Sequence, residues 1–233
     1  MLNQIHVDKL NNNFWYSSLP PIFQQFILEK SRLLSLDKEQ TVFYSGDHFD
    51  GIYAVLDGSI RLSNSNTEGR EAVVAFASPI MWFGEISLVD QQPRSHDAIT
   101  VQKSLVLHVH AKDLEQLLIT HPQFWFHIAQ LTSQKLRVAF SELIAIQTYK
   151  LSQRLAQRLV FILNGYGNHI EIENNIIRLS QEQLAQMLIC SRQTINQELQ
   201  KFEKLGILKI SFKEIEILSV YQLNNIALQI DEL

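Results

Sequence analysis

The alternation of apolar and polar positions divides this chain into three stretches with different periods. From Gln40 to His110, short apolar runs are separated by turn signals at Ser45-Gly46-Asp47, Asp57-Gly58 and Glu68-Gly69-Arg70. The clearest runs are Ile52-Tyr53-Ala54-Val55-Leu56, Ile60-Arg61-Leu62, Ala72-Val73-Val74-Ala75-Phe76 and Ser104-Leu105-Val106-Leu107-His108-Val109. Many short strands at close spacing predict an antiparallel sandwich or jelly roll. Residues 1–40 read as short helices, with Pro20-Pro21 opening one that runs through Lys30. From Pro122 to about Lys150 the period becomes helical. Ala129, Thr132, Leu136, Ala139, Leu143, Ile146 and Lys150 recur at alternating spacings of 3 and 4, a heptad seam. A parallel dimer fits this seam, with small Ala and Thr permitting close approach. A helix packed on its own barrel is the alternative.

The third stretch, Ser180 to Leu205, reads as two short helices around a tight turn. Ser191 is a good N-cap for the second. Arg192, Gln193, Asn196 and Gln197 fall on one exposed face. Arg suits guanine, and Asn or Gln suits adenine. Leu184, Ala185, Leu188, Ile195 and Leu199 form the buried complement. Taken alone, the pattern fits a helix-turn-helix and any amphipathic helix pair about equally. Gly206 then ends the helix. Ile207-Leu208-Lys209-Ile210 and Glu214-Ile215-Glu216-Ile217 read as a hairpin around Ser211-Phe212-Lys213. Ile170-Glu171-Ile172 and Ile176-Ile177-Arg178-Leu179 read as another pair upstream. Flanking hairpins of this kind make the unit a winged helix.

Composition narrows the function classes. The 233 residues are 46% hydrophobic, enough for a substantial core, with net charge −4. Residues 151–233 carry eight Lys or Arg against nine Asp or Glu, so non-specific attraction to nucleic acid is weak there. The one cysteine, Cys190, permits no internal disulfide, Cys-ligated iron–sulfur cluster or structural zinc site within the chain. The N-terminus lacks a secretory pattern, and no apolar run approaches the ~20 residues that span a bilayer. A cytoplasmic protein is expected.

Candidate chemistry in the front half lies in Trp82-Phe83-Gly84-Glu85-Ile86-Ser87-Leu88 and Pro93-Arg94-Ser95-His96-Asp97-Ala98. Gly84 allows close backbone approach, and Glu85 can accept from a diol. Arg94 with Ser95 can hold a phosphate. A structural Glu85–Arg94 salt bridge is the favoured reading from the residues alone. His108, His110 and Glu115 match part of a cupin metal pattern, but no second His motif follows. No P-loop, nucleophile elbow or Cys–His pair is evident, so an enzyme is not expected.

Taken together, FYSGD, IYAVLDGSIRLS, FGEISL, PRS and CSRQTIN resemble the CRP/FNR family of bacterial transcription regulators, across about residues 40–220. The resemblance implies an α+β chain. Its parts would be an N-terminal antiparallel β jelly-roll sensor of the cyclic-nucleotide-binding type (residues 1–121), a long dimerisation helix (122–150) and a C-terminal winged helix-turn-helix (151–233). It implies that Gly84, Glu85 and Ile86 approach a ribose, and that Arg94 and Ser95 grip a cyclic phosphate. Thr132 and Ser133 would read the base. The implied effector is cAMP or another cyclic nucleotide. His96 and Asp97 depart from the small residue usual after Arg-Ser, and the Glu-to-Arg spacing is one residue shorter than in cAMP-binding members. The iron–sulfur branch needs several cysteines. Haem-sensing members need an axial ligand, and none of His48, His96, His108, His110, His121 and His127 is singled out. The implied partners are double-stranded DNA, a second copy of the chain through Ala129, Thr132, Leu136, Ala139, Leu143 and Ile146, and RNA polymerase if the protein activates. DNA contacts fall on Arg192, Gln193 and Gln197, with Ser191 and Asn196 beside them. Ser180 and Lys209 are phosphate candidates. Gln193 and Gln197 stand where cAMP-responsive members have Glu and Arg, which implies a different palindrome. Ile189 stands at the turn where Gly is common, so either the turn differs slightly or a β-branched residue is strained there, and Glu198 stands where the family usually has an apolar residue. A ligand-independent regulator with a vestigial sensor is the alternative.

Overall fold

The computed structural model describes residues 2–167 and 175–228. The chain forms two compact units, residues 1–134 and 135–233.

The first unit begins with α1 (Gln4–Asn11), α2 (Phe14–Ser17) and α3 (Pro21–Lys30), followed by β1 (Arg32–Leu36), β2 (Thr41–Phe43), β3 (Gly51–Asp57), β4 (Ile60–Ser65), β5 (Glu71–Ala77) and β6 (Trp82–Phe83). Next come α4 (Ile86–Asp90), β7 (Asp97–Thr100), β8 (Ser104–His110), α5 (Ala111–Thr120) and α6 (Phe124–Thr148), whose last turns belong to the second unit. The strands form two four-stranded antiparallel sheets, in the orders β1-β8-β3-β6 and β2-β7-β4-β5. This is the β sandwich that the short apolar runs predict.

Strand β3 has no polar-out alternation because both its faces are covered. Ile52, Ala54 and Leu56 join a cluster with Leu10, Trp15, Phe23, Ile27, Phe124 and Ile128. Tyr53 and Val55, on the other face by the period of 2, are also buried. The N-terminal helices therefore complete the core. Trp15 meets Trp82 edge-on at 5.1 Å, and its Nε1 donates to the His127 carbonyl at 2.7 Å, fixing α2 to the start of α6. The long helix starts two residues after Pro122 and stops at Thr148. Lys150 caps the next helix instead of extending the seam, its N–H donating to Gln153 Oε1 at 2.9 Å.

The second unit continues with α7 (Leu151–Leu163), a 3-10 turn (Gly165–Gly167), β9 (Ile176–Ile177), α8 (Gln181–Leu188), α9 (Arg192–Lys204), β10 (Leu208–Ser211), β11 (Glu214–Ile217) and α10 (Val220–Leu228). The wing sheet has the order β10-β11-β9, all antiparallel. The expected strand over Ile170-Glu171-Ile172 lies outside the described residues. Leu155, Ala156, Leu159, Leu184, Ile195, Leu199, Phe202 and Leu223 are all buried. They supply the apolar stripes that hold α7, α8, α9 and α10 together.

Candidate functional site

Strong local signals build the helix pair. Ser180 caps α8 in a reciprocal box: its side chain accepts from Gln183 N at 3.2 Å, and Gln183 Oε1 accepts from Ser180 N at 2.8 Å. Ser191 caps α9 by accepting from Thr194 N at 3.1 Å. Between them Ile189 is left-handed (φ 56°, ψ 52°) and closes α8. Leu184, Ala185, Leu188, Ile195 and Leu199 are all buried. On the opposite face Arg192, Gln193 and Gln197 are exposed, and Asn196 is half-buried with its Oδ1 accepting from Gln181 Nε2 at 3.4 Å. The exposed cluster is therefore an arginine and two glutamines at the first turns of a helix whose N-terminus is already capped. Such side chains can reach base edges, while the caps can face phosphates.

Glu198 does not enter the core. It pairs with Lys201 at 2.6 Å along the helix. Lys209 is exposed on β10 opposite Glu216, and at the hairpin tip Phe212 is 88% exposed under the Lys213 ammonium.

In the front unit a loop cluster gathers around Arg94. Its side chain is 1% exposed. Nη1 donates to the Gly84 carbonyl at 2.7 Å, and Nη2 to the Gly51 carbonyl at 2.6 Å and to the Asp50 carboxylate. Phe43 and Phe49 lie 4.3 and 5.0 Å from its guanidinium carbon. Its Nε is buried and finds no hydrogen-bond partner among the described residues. Gly84 is required by this packing: at φ 89° a Cβ would stand 2.9 Å from Arg94 Nη1 and 3.3 Å from the Gly51 carbonyl.

Glu85 is buried at the start of α4, and Ile86 is 37% exposed. Ser95 is exposed, its Oγ 2.9 Å from His96 Nδ1, and the His96 ring packs 5.8 Å from Phe43. Asp97 turns away, its Oδ1 accepting from Ser45 N at 2.7 Å. Thr132 is half-buried, with Oγ1 donating to the Ile128 carbonyl at 3.1 Å, and Ser133 is exposed.

Asp50 is a candidate functional-site residue that no motif or spacing in the sequence singles out. It grips Arg94, accepts from the Tyr53 hydroxyl, and its carbonyl lies 3.2 Å from His108 Nε2. No local spacing advertises a partner 44 positions away. Burial and the Asp50 carboxylate push the Tyr53 hydroxyl far above its ordinary range. Burial likewise lowers the pKa of His108, which stacks on Tyr53 at 4.4 Å. Among the described residues no group of three or more His, Cys, Asp or Glu is placed to hold a metal ion.

Along α6, Ala129, Leu136, Ala139, Leu143 and Ile146 are all exposed, and Thr132 is half-buried. Phe140 and Ile144, 57% and 56% exposed, broaden the apolar stripe beyond the heptad positions. Among the described residues no helix is long and apolar enough to cross a membrane.

Residues 33–121 match the cyclic nucleotide-binding domain family, and residues 153–226 match the Crp-like helix-turn-helix domain family. The chain is 28% identical over 187 residues to the cyclic AMP receptor protein of Thermus thermophilus, covering 80% of this chain and 83% of that protein. It is 25% identical over 181 residues to a CRP-like cAMP-activated global transcriptional regulator of Mycobacterium tuberculosis, covering 76% and 80%. Its fold is similar to that of FixK2 from Bradyrhizobium japonicum (TM-score 0.74, 18% identity, 84% of this chain and 96% of that one). The fold also resembles a putative cAMP-binding regulatory protein from Silicibacter pomeroyi (TM-score 0.68, 20% identity, 97% and 99%). A two-sheet sandwich, a long helix and a capped helix-turn-helix with a three-stranded wing, together with these two domain matches, place the chain in the CRP/FNR family of DNA-binding transcription regulators, which are not enzymes.

Proposed function

We propose that this protein is a cytoplasmic, homodimeric regulator that reads a palindromic DNA site, with a sensor division over residues 1–121, a dimer helix over 122–150 and a DNA-reading division over 151–233. The observation that carries this reading is the exposed face of α9. Arg192 reads a guanine, and Gln193 and Gln197 read adenines, with Asn196 alongside. Ser180, Ser191 and Lys209 meet phosphates. The seam from Ala129 to Ile146 joins two copies, because an exposed apolar stripe of this length is covered by a like surface in a stable protein. As an activator the dimer would recruit RNA polymerase.

Arg192→Ala is expected to cost about 1–3 kcal/mol of operator affinity and to relax a single base position. A gel shift in which the variant keeps full affinity and selectivity would sink the assignment.

In the sensor, Gly84, Glu85, Ile86, Arg94 and Ser95, with Thr132 and Ser133, are the candidate ligand residues. The unpaired buried Nε of Arg94 supports an anion such as the phosphate of a cyclic nucleotide. A second reading, a regulator that needs no ligand, is favoured by the three acceptors that already hold Arg94. Titration calorimetry with cAMP and cGMP separates the two. Heat with saturable binding supports gating, and silence at high micromolar ligand supports the ligand-independent form.

A further inference from the structure

Only Tyr149 and Lys150 separate α6 from α7. Two residues between helices leave the angle of the DNA-reading unit free unless side chains across the junction fix it. The second unit supplies such a closure. Arg158 of α7 is 7% exposed and places Nη1 2.7 Å from Oε1 of Glu142 on α6, itself 19% exposed. One turn earlier on α7, Arg154 Nη2 donates to the Leu188 carbonyl at 3.1 Å. That carbonyl is among the last of α8, where intrahelical donors have run out. Glu142, Ala145, Ile146, Arg154, Arg158 and Leu188 line one cleft. Ile146 is also a seam position, 54% exposed. The pKa of Glu142 is raised, burial outweighing the downward pull of Arg158 and, less, of Arg154. A buried ion pair adds little net stability over an apolar pair of equal volume, but its direction specifies one arrangement.

We propose that Glu142, Arg158 and Arg154 are positioning residues that lock α7 and, through Arg154, the end of α8 to the last turns of α6, and so set the separation at which a dimer accepts two half-sites. This rests on the dimeric reading above. In that reading the seam beside Ile146 fixes α6 against its mate, and the lock transmits that geometry to α8 and α9. One base pair of added or deleted spacing moves a half-site by about 3.4 Å and turns it by about 35°. A locked pair rejects that change, and a hinged pair absorbs it.

The test selects binding sites from randomised DNA duplexes with full-length wild type, Glu142→Gln, and the apolar double variant Glu142→Leu/Arg158→Met. Thermal melts and light scattering run alongside. A monomeric wild type removes the dimeric reading before spacing is asked about. Given a dimer, wild type should select one spacing and lose ~10-fold or more in affinity when one base pair is inserted. The double variant, folded and dimeric, should select the same half-site sequence over several spacings and lose less than about threefold on insertion. Glu142→Gln should move in the same direction, and it decides the matter if the double variant does not fold. A folded dimeric variant with wild-type spacing dependence overturns the proposal. So does one that loses half-site recognition itself, because the residues would then support the reading helices rather than their placement.

Discussion

Ile189 occupies the left-handed corner of the helix-turn-helix with its side chain 79% exposed. A β-branched residue there pays a steric penalty of about 1–2 kcal/mol and gains little burial in return. Ile189→Gly is therefore expected to stabilise the second unit by about 1 kcal/mol, partly offset by Gly's greater unfolded entropy. Urea unfolding checks this, and a destabilised variant would mean that Ile189 makes a contact this conformation does not display.

His108 allows a pH prediction at the same scale. Its pKa lies below the ordinary 6.5, chiefly through burial, with His110 and Arg94 adding to the shift and Asp50 opposing it. Between the two values the unfolded chain binds a proton that the folded chain refuses, so stability falls as pH falls through that window. Between about pH 7 and 5, the melting temperature of His108→Gln should drop less steeply than that of wild type. Identical slopes would remove His108 as a contributor. At Ile189 the sequence left two readings open, a slightly different turn or a strained left-handed one, and the backbone takes the second. The burial of His108 was not legible, since His108-Val109-His110 reads equally as a polar rim.

At the scale of elements, the long helix shows how far a period carries. The spacing of Ala129, Thr132, Leu136, Ala139, Leu143 and Ile146 is legible without coordinates. The exposure of five of these six leaves an apolar stripe uncovered in the single chain. Leu136→Glu should place like charges across the seam, convert the protein to monomers in light scattering, and weaken operator binding at least ~100-fold through loss of the second half-site. A dimeric variant would show that the seam lies elsewhere. Phe140 and Ile144 were not marked by the heptad, because a strict 3-4 spacing describes a narrower stripe than the one this helix carries. Residues 1–40 were expected to be helical throughout, but Arg32–Leu36 is strand β1, and β2, β6 and β7 went unread for a related reason: Trp82–Phe83 is a two-residue strand, and Arg32–Leu36 and Thr41–Phe43 alternate weakly. The hairpin wing, the Ser191 cap and the buried stripes of α8 and α9 carry strong local signals, and their elements match the reading closely.

For the whole molecule, charge sets the kind of DNA binding to expect. Net charge is −4, and the DNA-reading half carries nearly equal numbers of both signs. If Lys209 and Lys213 neutralise phosphates while Arg192 reads a base, a dimer neutralises about four phosphates, and log affinity should fall with log salt at a slope of about −4. Fluorescence anisotropy between low and moderate salt measures this. A slope near −10 would mean that Lys and Arg outside this face join the contact.

The sequence alone determined the longer strands of the front half, the long helix, the capped helix pair, the wing hairpin, the apolar seam and, through its motifs, the family. Each of these is written in nearest-neighbour periods, turn residues and short motifs. Tertiary structure decided that Asp50 is the carboxylate holding Arg94, that Gly84 yields its space to that guanidinium, and that Glu142 faces Arg158 across a two-residue hinge. Those pairings join side chains from different elements, whose meeting depends on how strands and helices pack, and no period along the chain encodes it.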